Sequence, residues 1–393
     1  MLHILAVEGG KPMSADFAEI RKLFPVTETF TYFLANGRSP LPRPVAEAAN
    51  EMTDALMNSG VIAMALSGPM VEETRQKMAN LIGCDAQEIA FSRSTAEGVL
   101  WLAQSYPWEE GDEVLVTRRE YPSLVYPFLA QKHLGAKVVF VEQDGRRITP
   151  EVIEGGITDR TRIVVTSWPQ FDTGQRPNLE AISELCRTRG ITLLVDPIQC
   201  LGSIRLNVRE KGVDCLSAGT HKGLLGLPGL GIFYCKQELL DRLRPVHTGW
   251  GSLEKEPSME YETETYDFEP ARGARRYEEG CKNFVGIAAL NAALDLLEEI
   301  GVENIERRLK RLTDYLCEQA RAKGCEVTSP RENDEWSGIV LLRLPKQDPY
   351  KLVEELREHL IMVYAMRGCM ILGLNFYNNE EDIDRLLSFI EAG

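Results

Sequence analysis

Apolar and polar positions change rhythm along this chain, and the changes mark its parts. The first forty-odd residues are peripheral in pattern. Residues 12–25 (PMSADFAEIRKLFP) place apolar side chains on one helical face and stop at Pro25. Residues 31–45 predict a strand running into a Gly/Pro loop, with Pro44 at an early helical position where a missing N–H is tolerated. Residues 71–83 form an amphipathic repeat closed by Gly83, a residue suited to a left-handed helix cap. From about residue 88, short continuous apolar runs alternate with amphipathic stretches. EIAFS, DEVLVT, AKVVFVE, RIVVTS, ITLLVD, VDCLSAG and LGIFYC predict strands. TAEGVLWLAQSY, SLVYPFLAQKHL and LEAISELCRTRG predict helices between them. Strands that are apolar on both faces imply an α/β fold with a mostly parallel sheet covered by helices. Residues 245–283 break the rhythm with a long irregular stretch, a length at which loops are usually functional or disordered. Two long helices follow (FVGIAALNAALDLLEEI and ENIERRLKRLTDYLCEQARAKG), then a separate α+β tail from SGIVLLRL to EDIDRLLSFIEA.

Composition narrows the partners. The 393 residues carry 44 Lys+Arg against 59 Asp+Glu, a net charge of −15. An apolar fraction of 44% excludes disorder and fibrous repeats. The acidic balance argues against nucleic acid and against an anionic membrane surface. The nine cysteines show no C-x-x-C spacing, so neither a metal site nor a dithiol redox pair is suggested, and a reduced, cytoplasmic protein is expected. The opening MLHILAVEGGKP lacks a basic n-region and a cleavage site, and no apolar run approaches the roughly 20 residues of a membrane span.

In open sheets of this kind ligands sit beyond the carboxyl ends of the strands. ITLLVD ends in Asp196, with Gln199 shortly after. VDCLSAG leads into Thr220, His221, Lys222 and a Gly-rich turn. EIAFS leads into Ser94, Thr95 and Ala96 at a helix start, and DEVLVT into Arg118, Arg119, Glu120 and Tyr121. Alone, each piece has a bland reading: a helix cap, a solvated loop, a packed ring. Together they supply a lysine for a Schiff base, a carboxylate for a pyridinium nitrogen, a helix N-terminus for a phosphate and a ring for stacking. Those are the requirements of pyridoxal 5'-phosphate.

The run VDPIQCLGSIRLNVREKGVDCLSAGTHKGLLGLPGLGIFYC resembles the central motif of the class V aminotransferase family of pyridoxal-phosphate enzymes. That group includes cysteine desulfurases, cystine C–S lyases, isopenicillin N epimerase and kynureninase. YFLANGRSPLPRPV, SRSTAEGVLWLA, FDTGQRPNLEAI, RRYEEGCKN and FYNNEEDIDRLL resemble its other segments, so the likeness runs from about residue 29 to 390. It implies a fold-type I enzyme: residues 1–45 in the small domain and the active-site mouth, 46–285 as the large cofactor domain, 286–393 as the C-terminal small domain. Lys222 is then the Schiff-base lysine and the acid/base at Cα. Asp196 pairs with the pyridine nitrogen and Gln199 with the phenolic oxygen. Thr95, the N–H of Ala96 and His221 hold the phosphate, with Thr220 also at the cofactor and Tyr121 stacked where many members have histidine. The segment around Cys281 reaches the phosphate of a neighbouring subunit, which implies a homodimer with shared sites.

Departures from the family pattern bear on the reaction. Ile371 stands where the family arginine receives the substrate α-carboxylate, and Gly373 where it has serine. Arg38 and Arg367 are the candidate replacements. Cys281 replaces a threonine. Phe171 replaces the asparagine of many desulfurases, as in cystine C–S lyase. IMVYAMRGCMIL is too short for a desulfurase nucleophile loop. Trp250 lies in an acidic stretch, 247–280, that covers the active site in relatives. The resemblance therefore implies an aminotransferase or a C–S (β-elimination) lyase acting on an amino acid or amine. An epimerase or a cysteine desulfurase-like enzyme is the alternative, and a pyridoxal-phosphate-binding scaffold or regulator the non-enzyme one.

Overall fold

A computed structural model describes residues 15–142, 147–254 and 268–393. The opening MLHILAVEGGKP and most of the acidic run between Trp250 and Arg272 lie outside the described residues. The chain begins with α1 (Phe17–Arg21), capped by the Asp16 carboxylate, then α2 (Val26–Thr29) and β1 (Thr31–Tyr32). Helices α3 (Arg43–Ser59), α4 (Val61–Leu66) and α5 (Gly68–Ile82) follow, and α5 ends on Gly83 at φ +72°, as its position after the amphipathic repeat predicts.

The central sheet is built from β2 (Ile89–Ser92), β3 (Glu113–Thr117), β4 (Lys137–Val141), β5 (Thr161–Ser167), β6 (Thr192–Asp196), β7 (Cys215–Gly219) and β8 (Gly231–Cys235). Its order is β2-β8-β7-β6-β5-β3-β4. All pairs from β4 through β7 are parallel, whereas β8 runs antiparallel to both β7 and β2. The reversal follows from chain length: no crossover helix separates β7 from β8, and a parallel return needs one. Six strands therefore deliver their carboxyl ends to one edge. Around the sheet lie α6 (Thr95–Ser105), α7 (Tyr126–Leu129), α8 (Pro150–Gly156), α9 (Leu179–Thr188) and α10 (Gln237–Leu240). The single helix expected over 123–134 is instead one α-helical turn flanked by 3₁₀ turns. Pro127 removes the amide hydrogen that a continuous helix would donate to the Ser123 carbonyl.

Beyond the irregular stretch come α11 (Phe284–Ile300) and α12 (Val302–Ala322). Helix α11 packs on α3 and α5, so the division expected at residue 285/286 separates it from its two principal helical partners. The tail contributes β9 (Glu326–Val327), β10 (Ile339–Arg343), α13 (Pro349–Glu358), β11 (Ile361–Met362), β12 (Tyr364–Met366), β13 (Cys369–Gly373) and α14 (Glu380–Leu387). These form an antiparallel sheet in the order β12-β13-β10-β9. Strand β1 pairs in parallel with β11, and Leu34 bridges Gly373, which ties the two ends of the chain together. Among the described residues no helix is long and apolar enough to cross a membrane.

Candidate active site

A cavity of about 480 Å³ opens between the carboxyl edge of the large sheet and the β12–β13 hairpin. That volume falls among ordinary small-molecule sites. Its floor comes from strand ends. Asp196, the last residue of β6, is 2% exposed, and one carboxylate oxygen accepts from the Ile198 N–H at 2.9 Å. Burial pushes its pKa up to about 7, against the pull of that N–H and of Lys222, while Glu120 adds to the rise. Lys222 follows β7. Burial drives its amine down to about 8, and Asp196 opposes the shift. Its Nζ enters no hydrogen bond among the described residues and lies 5.9 Å from the centre of the Tyr121 ring. Burial, then the charges of Lys222 and Arg38, lower His221 to about 4, so its ring is neutral at physiological pH.

The third side is the N-terminus of α6. Ser94 caps it by accepting from the Glu97 N–H at 3.2 Å. Helical geometry leaves the N–H groups of Thr95 and Ala96 without intrahelical acceptors, which suits an anion. Thr95 pins the helix to β7: its Oγ1 accepts from the Gly219 N–H and its carbonyl accepts from the Ser217 hydroxyl, both at 2.8 Å. Gly98 permits this approach, since a Cβ there would stand 2.3 Å from the Ser217 Oγ.

Tyr121 forms the fourth wall, held by a group that sequence reasoning passed over. Glu120, 6% exposed, accepts from the Ser167 N–H at 2.8 Å, the Ser167 hydroxyl at 2.5 Å and the Gln170 amide at 2.6 Å. Its other oxygen also accepts from the Tyr121 N–H at 3.2 Å. Burial raises its pKa and these donors hold it down. Glu120 thus locks the loop after β3 onto the end of β5. In the sequence it was one charge in an Arg-Arg-Glu run, and only tertiary contact reveals its burial.

The expected residues divide into two groups. Lys222, Asp196, Gln199, His221, Thr95, Ala96, Tyr121 and Phe171 all line the cavity. Gln199 also donates to the Asn36 carbonyl at 3.1 Å, and the Phe171 ring meets Tyr121 edge-on at 5.4 Å. The others lie elsewhere. The Thr220 hydroxyl turns away to donate to the Leu227 carbonyl at 2.8 Å, so it shapes the lysine loop and does not face the cavity. Arg367 is paired with the buried Asp172 carboxylate and does not line the cavity. Arg38 is exposed beside the lining residue Gly37, and Trp250 and Cys281 are exposed on the 249–281 stretch, outside this chain's cavity. Asn36, Ser123, Ser167, Tyr364 and Met366 line the cavity without a sequence signal.

This donor set fits pyridoxal phosphate. A ring N–H brought to Asp196 would stabilise a carboxylate that burial alone disfavours. The α6 terminus suits its phosphate, Tyr121 its ring face and Lys222 its aldehyde carbon.

The family described as aminotransferase class-V matches residues 31–386. The chain is 28% identical over 374 residues to an uncharacterized aminotransferase, YcbU, of Bacillus subtilis (strain 168), across 95% of this chain and 97% of that one. It is 25% identical to a probable cysteine desulfurase of Pyrococcus abyssi, across 95% and 96%. Among solved structures, the cystine C–S lyase C-DES with its reaction product cysteine persulfide has the same fold, with a TM-score of 0.85 at 23% identity over 93% of this chain and 98% of that one.

Proposed function

Because the chain belongs to the class-V aminotransferase family, we propose that it is a pyridoxal-phosphate enzyme that moves a proton at the amino-bearing carbon of an amine or amino acid. The observation that carries this reading is the meeting of Lys222, Asp196 and the α6 terminus at one cavity, from strand ends β7, β6 and β2. The bound cofactor supplies an electron sink for the negative charge left at that carbon. Asp196 keeps the ring nitrogen protonated, which maintains the sink. Tyr121 covers the ring face. Thr95 and Ala96 fix the phosphate, so the reacting carbon is placed against Lys222 Nζ. Lys222, as a neutral amine, accepts the proton and returns it to an adjacent atom. Return to a second carbon gives transamination, and departure of a sulfur leaving group gives β-elimination. Transamination is the first reading. Phe171, an aromatic at a position where the resemblance gives cystine C–S lyase one too, supports elimination as the second, and release of product without a keto-acid acceptor would select it. Among the described residues no cysteine lines the cavity, so sulfur transfer through a thiol of this chain draws no support from the site.

The test is cofactor capture. With its pKa near 8, Lys222 is mostly protonated at pH 6.5 and mostly free at pH 9. Only the free amine attacks an aldehyde, so the rate of covalent loading should climb through about pH 8 and then level. Borohydride should then fix the label on the Lys222 peptide. Loading with no label on that peptide would overturn the reading.

The enzyme is further proposed to be a cytoplasmic homodimer. All nine cysteines are free thiols, which suits a reducing compartment. Met57, Val61, Ile62 and Leu66, each more than 60% exposed, make an apolar face on α3–α4 that a second copy would cover. Sedimentation should give the mass of two chains, and a monomer at micromolar concentration would overturn this.

A further inference from the structure

The two ends of the cavity differ in chemistry. One end, at the edge of the large sheet, holds Lys222, Asp196, His221 and Thr95. The other, from the Phe171 loop and the β12–β13 hairpin, presents Phe171, Tyr364, Ala365, Met366 and Ile371. Ile371 is 3% exposed and is backed by Ile339, Leu341 and Cys369, with Met366 packed on the same cluster. The side chains of this cluster are apolar, with the Thr328 hydroxyl at the Cys369 thiol and the buried Ser329 and Ser337 hydroxyls accepting from the Leu341 and Ile339 N–H groups.

Cations are correspondingly scarce. Among the described residues Lys222 is the one lysine or arginine that lines the cavity. Arg367, at the hairpin turn, is bound to Asp172, whose side chain is 1% exposed. Withdrawing it would break an ion pair to a buried carboxylate, a costly change. Arg38 is exposed to water beyond Gly37. His221 is neutral. A carboxylate pressed against the apolar end would lose its hydration and gain no charged donor, while an apolar group there would leave water favourably.

Resting on the reading of Lys222 and Asp196 above, we propose that the substrate is a primary amine with an apolar, uncharged substituent where an amino acid carries its α-carboxylate. The Phe171–Met366–Ile371 wall receives that substituent, and the enzyme discriminates against the carboxylated counterpart.

The experiment titrates the pyridoxal-phosphate holoenzyme with matched pairs in which a methyl group replaces the carboxylate, 1,3-dimethylbutylamine against leucine and 3-methylbutan-2-amine against valine, and follows the visible cofactor band. The amine of each pair should half-saturate the shift at a concentration at least tenfold lower. Ile371→Arg, which puts a guanidinium into the wall, should narrow or reverse that ratio. If this variant does not fold, the wild-type pairs still decide. Equal or tighter binding of the amino acids overturns the proposal, and loss of that binding in Arg38→Ala would identify the carboxylate receptor. An intact band that no amine of the panel moves overturns it as well. A wild-type protein with no band and no label on Lys222 instead overturns the cofactor reading, and the amine proposal with it.

Discussion

Lys222→Ala should abolish covalent capture of pyridoxal phosphate and lower turnover by about 10³-fold or more, the upper part of the range for a positioned acid/base. The loss is large because one nitrogen serves twice, as the attachment point and as the proton carrier, and the described cavity holds no other lysine. Folding should be nearly untouched. The Lys222 ammonium makes no hydrogen bond among the described residues, and burial already disfavours its charge. The variant should retain noncovalent cofactor on the α6 terminus and Asp196, with a free-aldehyde absorbance, unchanged circular dichroism and no borohydride label. Restored turnover with an added small amine would show that only the nitrogen was missing. Wild-type turnover without rescue would remove Lys222 from the chemistry.

Glu278→Ala should have the largest effect on stability, a loss of about 3–5 kcal/mol by denaturant unfolding. Glu278 and Arg75 are both 3% exposed, and their side chains meet at 2.7 and 3.2 Å. Glu278 also accepts from the Phe91 N–H at 2.9 Å, and Arg75 donates to the Ile89 carbonyl at 2.7 Å. The pair therefore staples the 278–283 segment to β2, just ahead of the α6 terminus. Truncation leaves a buried guanidinium whose charge burial opposes and Glu278 chiefly sustains, with the exposed Glu72 carboxylate at 3.1 Å as its remaining charged partner. Burial alone would raise the Glu278 pKa, but Arg75 overrides it and holds it below the ordinary value. The stabilisation is thus complete above the unfolded carboxyl pKa and is lost as pH falls through the lower native one. Glu278→Gln should flatten that acid limb, and a truncation costing under 1 kcal/mol would refute the staple.

The seven central strands were legible because each is a short run that is apolar on both faces, bounded by turn residues. Asp196, Thr95 and Lys222 were legible for a related reason: each stands at or just after the carboxyl end of such a run, where the sheet must open to solvent. The failures share a cause too. Glu120 and Asp172 are buried acids in polar loops, and a polar loop reads as solvated until its partners are known. Arg367 seemed available because Asp172 stands 195 positions away. The family resemblance puts Thr220 at the cofactor, but the direction of its hydroxyl is set by the turn ending at Leu230, which no spacing rule encodes. The helix over 123–134 was overcounted because apolar spacing outweighed Pro127, whose missing amide interrupts the helical ladder.

The pairing of β1 with β11 and the Leu34–Gly373 bridge have a consequence for how the molecule is made. They hold the loop that presents Asn36 to Gln199 and sends the Ser39 N–H to the His221 carbonyl. A nascent chain can form the strand ends that bear Asp196 and Lys222 while its last quarter is still unsynthesised. It cannot close the mouth over them until residue 373 emerges. On this topology, enclosure of the reactive amine should come last in the order of synthesis, after its strand end is made.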